Sequence, residues 1–228
     1  MKPQSKVSIE WCEKLAYAIG LLTTDGCLYN DGRHIDFTSQ DIQLIKTFRE
    51  CLGITNKIGF KTSGYSAKKC PHIQFGDVIF YKWLLTIGIT PHKSKTIGEI
   101  KIPDKYFFDF LRGHFDGDGC CYSYWDKRWR SSFMFYITFA SASKKHIDWL
   151  RGKIKQFTGV NGFVSKTVKN DFFQLRYAKK ESKILISRMY YQESIPCLGR
   201  KLKKLQKILK IDSKESRADV AKLVSAPS

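Results

Sequence analysis

The sequence predicts an α+β fold: two pseudo-symmetric αββαββα lobes packed through one helix from each, with antiparallel sheets. Three observations predict it. A helix-length apolar run ending in Asp-Gly occurs twice, LAYAIGLLTTDG at 15–26 and YFFDFLRGHFDGDG at 106–119. The strand-like and helix-like patterns after each run come in the same order. The chain of 228 residues, 43% hydrophobic and 14% aromatic, is long and apolar enough to bury a core in each half.

In the first half, strand-like stretches at 27–30 and 34–38 flank an Asn30-Asp31-Gly32 turn. Apolar residues at Ile42, Ile45, Phe48 and Leu52 have helical spacing. Strands at 57–62 and 72–75 follow, then an apolar helix at 78–85 closed by Gly88. The second half repeats this with strands at 121–125 and 133–140 and a helix at 144–157 closed by Gly159. Strands at 162–168 and 172–177 flank Lys169-Asn170-Asp171, and a helix at 181–190 follows. Residues 90–104, with Pro91 and Pro103, form the linker. A repeat of half the chain length indicates two like lobes and not a solenoid. The lobes are assigned to 1–98 and 99–211, with a basic helical segment at 199–210 closing the second. Residues 212–228 are expected to be a tail with at most one short helix.

Lys and Arg total 40 against 21 Asp and Glu, a net charge of +19. Such an excess attracts polyanions. The charge is spread along the chain and not gathered on one amphipathic helix, which favours nucleic acid over a membrane surface. No apolar run approaches the roughly 20 residues of a membrane span. The N-terminal MKPQSKVSIEWCEK lacks the apolar core of a secretory signal, so an intracellular location is expected, in cytoplasm or organelle matrix with the host genome. The seven cysteines are odd in number and form no CxxC pair, which supports neither a disulfide framework nor a cysteine zinc site. The five histidines are scattered.

An Asp-Gly pair after an apolar helix is ordinarily a stop signal, with glycine in the left-handed conformation and aspartate in water. Two such pairs at equivalent points ask for more. A carboxylate at a helix C-terminus faces the negative end of the helix dipole, which costs about 0.3–1 kcal/mol. This lysine-rich chain nevertheless places Asp25 and Asp118 there. The inner glycines Gly20 and Gly113 suit close packing of the two helices, which would bring both carboxylates together. Adjacent carboxylates repel unless a cation lies between them, and a few carboxylates completed by water and substrate phosphate suit Mg²⁺. A calcium loop starting at Asp116 fails, because its twelfth position is Lys127 and not Glu.

The segments AIGLLTTDG at 18–26 and LRGHFDGDG at 111–119 resemble the two motifs of a single-chain LAGLIDADG homing endonuclease. The resemblance extends through the order of elements to about residue 210. It departs from the fuller motif at Ala18, Ile19 and Thr23, which are packing or non-ligand positions. It implies motif helices at the lobe interface, a saddle-shaped DNA-binding surface, and Asp25 and Asp118 as ligands of catalytic Mg²⁺. It further implies a basic residue from each lobe beside the site, Lys93 and Lys201, with Lys95 and Arg200 as alternates. Gln40, and Ser141 in the other lobe, are the implied water-positioning residues.

The activity so implied is metal-dependent hydrolysis of both strands of a long, pseudo-palindromic duplex target by a monomer. A strand ribbon fits the major groove and presents alternate side chains to it. Expected DNA contacts in the first lobe are Tyr29, Asn30, Arg33, His34, Lys57 and Lys61. In the second they are Tyr122, Tyr124, Lys127, Arg128, Arg130, Lys166, Lys169 and Arg176. Two alternatives share the scaffold, an intron-encoded RNA maturase and a non-catalytic DNA-binding protein. Retention of both acids favours the nuclease.

Overall fold

A computed structural model describes residues 5–63, 66–128, 132–167 and 172–224. Arg130, Lys169 and the 169–171 turn lie outside the described residues. The first lobe runs α1 (Glu13–Asp25), β1 (Gly26–Leu28), β2 (His34–Thr38), α2 (Ile42–Cys51), β3 (Ile58–Ser63), β4 (Ser66–Gly76) and α3 (Val78–Ile87). The second runs α4 (Phe107–Asp118), β5 (Cys120–Trp125), β6 (Phe133–Ser141), α5 (Lys144–Thr158), β7 (Phe163–Thr167), β8 (Phe172–Tyr177) and α6 (Lys179–Met189), followed by α7 (Gly199–Val224). Short 3₁₀ turns occupy Lys93–Lys95 and Asp104–Tyr106 in the linker.

Each lobe holds one four-stranded antiparallel sheet, ordered β1-β2-β4-β3 and β5-β6-β8-β7. The identical order is the pseudo-symmetry expected from the repeat. One face of each sheet is apolar and packs on helices: Ile35, Phe37, Ile73 and Phe75 in the first lobe, Phe135, Ile137, Phe139, Leu175 and Tyr177 in the second. Alternation then places His34, Asp36 and Thr38 of β2, and Tyr136 and Thr138 of β6, on the face free of helices.

Local chemistry sets the boundaries. Asp77 caps α3 by accepting from Phe80 N, and its other oxygen accepts from Lys6 N and Val7 N, which fastens the N-terminal segment to the first lobe. Helices α3 and α5 end at Gly88 and Gly159, with φ of 105° and 74°, the left-handed conformation glycine tolerates.

The motif helices end differently. Gly26 and Gly119 are extended, at φ −80° and −78°, so the Asp-Gly pairs are not left-handed stops. Helix passes directly into strand, and each aspartate sits at the junction. Glycine is needed there for space: a Cβ on Gly26 would lie 2.6 Å from Leu22 O, and one on Gly119 would lie 2.5 Å from Phe115 O.

The lobes join through α1 and α4, which run side by side in the same sense. A Cβ on Gly20 would lie 2.2 Å from Phe110 O, and one on Gly113 would lie 2.1 Å from Tyr17 O. Backbone therefore meets backbone. Buried polar bonds lock the contact: Tyr17 of α1 donates its hydroxyl to Asp116 of α4 at 2.8 Å, and the fully buried Arg112 lies over the Tyr17 ring.

One boundary is corrected. The helix expected at 199–210 continues as α7 to Val224, so residue 212 begins no separate tail. Asp212 is buried and ion-paired with Lys179 and Lys183 of α6, which clamps this part of α7 to the second lobe.

Gly20→Ala should destabilise the protein by about 2 kcal/mol or more, because backbone and not a flexible side chain is in the way. Gly152→Ala, in α5 with open space around its Cβ position, should stabilise by about 0.5–1 kcal/mol. Thermal unfolding of both variants checks the contrast.

Candidate active site and nucleic-acid-binding face

The close approach of α1 and α4 fixes where their ends lie. A Cβ on Gly117 would lie 2.0 Å from Thr24 Oγ1 and 2.9 Å from Asp25 Oδ2. The end of α1 is thus seated against the residue before Asp118. Asp25 is half-buried and Asp118 is exposed along an open cleft of about 560 Å³ lined by Gly117, Asp118, Arg200, Lys201 and Lys204 among others. Burial pushes the Asp25 carboxyl up to about 6, and the negative charge of Asp118 adds to the rise. Desolvation within the cleft raises Asp118 too, against the pull of Lys201 and Lys93. Both acids are short of positive charge.

Lys93 and Lys201 lie behind the ends of the two motif helices. Lys93 Nζ donates to Gly26 O at 2.6 Å and lies 3.5 Å from Thr24 O. Lys201 Nζ donates to the carbonyls of Phe115 and Gly119, each at 2.6 Å, and of Asp116 at 2.9 Å. Each ammonium caps the C-terminal carbonyls of one motif helix, complementing the dipole end at which the aspartate stands. Only 6% of Lys93 and 8% of Lys201 is exposed, and burial lowers both pKa values while the neighbouring aspartates oppose the drop. With Gly117 O at 3.2 Å as a fourth acceptor, the three donors of Lys201 are fully engaged. It acts by charge and by holding the helix end, whereas Lys93 keeps donor capacity. The alternates stand farther out: Lys95 is exposed, and Arg200 Nε donates to Asp41 Oδ2 at 2.7 Å, tying α7 to the N-cap of α2.

Asp116 is a site-supporting residue that the sequence reading weighed only as a calcium-loop start. It is 1% exposed and accepts from Tyr17, from Leu198 N at 2.6 Å and from Tyr190 at 3.4 Å. It joins both lobes to the segment that presents Lys201. Gln40 is exposed in the turn after β2, and Ser141 ends β6 with its hydroxyl accepting from Ser143 N. Among the described residues neither bonds to the two acids or the two lysines.

Strand register sorts the expected DNA contacts. Tyr29, Asn30 and Arg33 lie exposed in the β1–β2 turn, with Asn30 Nδ2 3.1 Å from His92 Nε2. His34 pairs with Asp31, and Lys57 is exposed just before β3. Lys61 shares the helix-free face with Asp36, a buried carboxylate that it contacts together with His72. Tyr122, Tyr124 and Arg176 share the corresponding face of the second lobe, joined there by Tyr136, which the sequence reading left out. Lys127 and Arg128 are exposed in the β5–β6 turn, where Arg128 pairs with Asp126. Lys166 is a correction. Its partner across the ladder is Phe173, on the same side as Leu175 and Tyr177, so it stands on the helix side of an edge strand, over the Phe173 ring. Side-chain period two puts it opposite to Arg176.

No group of three or more His, Cys, Asp and Glu side chains gathers among the described residues. The donor set at the helix ends is therefore two carboxylates, Asp118 on the cleft and Asp25 half-buried behind it. That fits a hard cation completed by water and phosphate, and does not fit an all-protein cage. No described helix is long and apolar enough to cross a membrane.

Two αββαββα lobes joined by paired motif helices define a LAGLIDADG-like fold. No known protein family matches the chain in sequence, and no curated protein matches it. Solved structures do match in fold. The homing endonuclease I-WcaI bound to its DNA recognition sequence superposes with a TM-score of 0.61 at 12% identity, over 86% of this chain and 88% of that one. The I-LtrWI LAGLIDADG homing endonuclease bound to target DNA gives 0.57 at 12% identity, over 90% and 91%. Full-length DUF199/WhiA from Thermatoga maritima gives 0.57 at 14% identity, over 91% of this chain and 62% of that one. This chain thus spans under two thirds of full-length WhiA, and the part it resembles includes the N-terminal LAGLIDADG domain, matched at 0.54.

A carboxyl raised in the folded state binds its proton more tightly there than in the unfolded chain. It therefore costs stability once pH rises through its folded value, and nothing at pH below its unfolded value. Without divalent cations, Asp25→Asn should raise Tm above pH 6 and leave it unchanged near pH 3.5. Thermal melts across that range in EDTA check this.

Proposed function

We propose that the protein is a site-specific DNA endonuclease of the homing type, making a divalent-cation-dependent double-strand break in a long pseudo-palindromic target. The observation that carries this reading is the seating of Asp25 against the Gly117–Asp118 end of the partner helix, with both carboxyls raised by burial. A fold without chemistry would place neutral or basic residues at two adjoining helix C-termini.

Asp25 and Asp118 would hold Mg²⁺, which when bound lowers the pKa of water and neutralises phosphate charge. The protein's own groups supply the rest. The paired helix ends fix the two carboxylates relative to each other. Lys201 holds the end of α4 and contributes fixed positive charge behind Asp118. Lys93 does so behind Asp25 and has donor capacity left for a phosphate oxygen whose charge grows in the transition state. The helix-free sheet faces, carrying Lys61 and His34 in one lobe and Tyr122, Tyr124 and Arg176 in the other, lie against duplex DNA. The turn residues Tyr29, Asn30, Arg33, Lys127 and Arg128 reach its backbone or base edges. Both acids come from one chain, which supports action as a monomer. The net charge of +19 makes affinity steeply salt-dependent.

Incubation with a plasmid library and Mg²⁺, followed by sequencing of the ends, tests the proposal. Wild type should yield ends at one long sequence, none in EDTA, and none for Asp118→Asn, which should still retain the target duplex. Undiminished double-strand cleavage by Asp118→Asn would refute the assignment. Lys93→Met and Lys201→Met should each lower cleavage at least tenfold and lower Tm, the second by more, because Lys201 holds more of the carbonyls at its helix end.

A further inference from the structure

The two helix-free sheet faces differ chemically at one equivalent point. Close to the end of each motif helix, the first position of the edge strand pair that faces away from the helices is Cys27 opposite Asp36 in one lobe and Cys120 opposite Thr138 in the other. On the neighbouring strand, Asp36 faces Gln74, and Thr138 faces Arg176. Asp36, buried and occupied by Lys61 and His72, thus corresponds to Thr138, and the exposed Gln74 of the first lobe corresponds to Arg176 of the second.

The surroundings of Arg176 are apolar. Its guanidinium carbon lies 5.9 Å from the Tyr122 ring centre and 5.8 Å from that of Tyr136. Those rings stack on each other at 5.1 Å with 15° between planes, and Tyr124 continues the row over Tyr136. Phe163, 65% exposed, stands across the ladder on the other side. Arg176 Nε is buried without an acceptor, and among the described residues no carboxylate pairs with the guanidinium. By contrast Arg128, exposed in the β5–β6 turn of the same lobe, is engaged by Asp126. The tyrosine ring faces are used on one another, so the row is a wall that orients Arg176 and not a platform for flipped bases.

Resting on the proposed reading of duplex DNA, we infer that Arg176 is the specificity-determining residue of the second lobe and takes one guanine in the major groove. A planar fork with no acidic partner, held by aromatic stacking, matches the O6 and N7 acceptors of guanine. Tyr122 and Tyr136 are positioning residues for it. At the equivalent place in the first lobe stands the exposed Gln74, whose amide offers a donor beside an acceptor and matches adenine rather than the paired acceptors of guanine. The target therefore breaks its pseudo-symmetry there, with guanine in one half-site only.

Enrichment of random duplexes by the wild-type protein in Ca²⁺ gives the bound sequence. Failure to retain any duplex would sink the nuclease reading, and this inference with it. With a target in hand, Arg176→Lys should relax preference at one guanine by about tenfold or more, leave the other positions unchanged, and leave the salt slope unchanged because the charge is kept. Tyr136→Leu should relax the same position more weakly. Replacing that guanine by 7-deazaguanine, which needs no variant, should weaken wild-type binding and leave Arg176→Lys nearly unaffected. Uniform weakening of all sequences by Arg176→Lys, or indifference of the wild type to 7-deazaguanine at every guanine of the target, would overturn the inference while leaving the nuclease reading intact.

Discussion

Backbone contact between α1 and α4 at Gly20 and Gly113 is the constraint from which the rest of the molecule follows. Neither position has room for a Cβ, so the helices approach as closely as their main chains allow. That approach sets the register of one lobe on the other. It also delivers the end of α1 to the end of α4, and with it Asp25 to the neighbourhood of Asp118. The two sheets begin one or two residues later, so the same contact orients the helix-free faces about the cleft. Asp116 and Arg112, buried in the contact, leave it few alternative packings, because their polar partners lie on α1 and on the segment after α6.

The electrostatics at the helix ends oppose folding, and the proposed chemistry is what would use them. Two carboxylates, two dipole ends and partial burial all raise the local negative potential. Two lysines offset it from behind, each bonded to the carbonyls of one helix. They leave Asp118 on the cleft. The proposed cation, bringing its own water and phosphate, would complete the neutralisation.

Much of this was legible in the sequence, and the reasons are specific. The repeated Asp-Gly ends marked Asp25 and Asp118, because a carboxylate at a helix C-terminus is unfavourable and its recurrence demands a cause. Lys93 and Lys201 were legible only as a matched pair, since on a chain this basic one lysine carries little information. Other features needed coordinates. The side of the sheet on which Lys166 stands is one of them, because alternation fixes which residues share a face but not which face is buried, and an edge strand gives weak cues. Asp116 has no counterpart in the first motif, where Thr23 stands, so the repeat carries no signal for it. Tyr136 lay in a run of aromatics that reads as core throughout. The docking of α7 at Asp212 on two lysines of α6 joins residues about 30 apart, which no local pattern signals.

The central claim is that the two motif acids form one cation site at the lobe junction. Anomalous diffraction from crystals grown with Mn²⁺ and the enriched duplex measures it directly. The account predicts manganese density in contact with both Asp25 and Asp118 and with a DNA phosphate, and none when both are asparagine. Manganese bound elsewhere, or the two carboxylates turned apart with the phosphates distant from both, would contradict it.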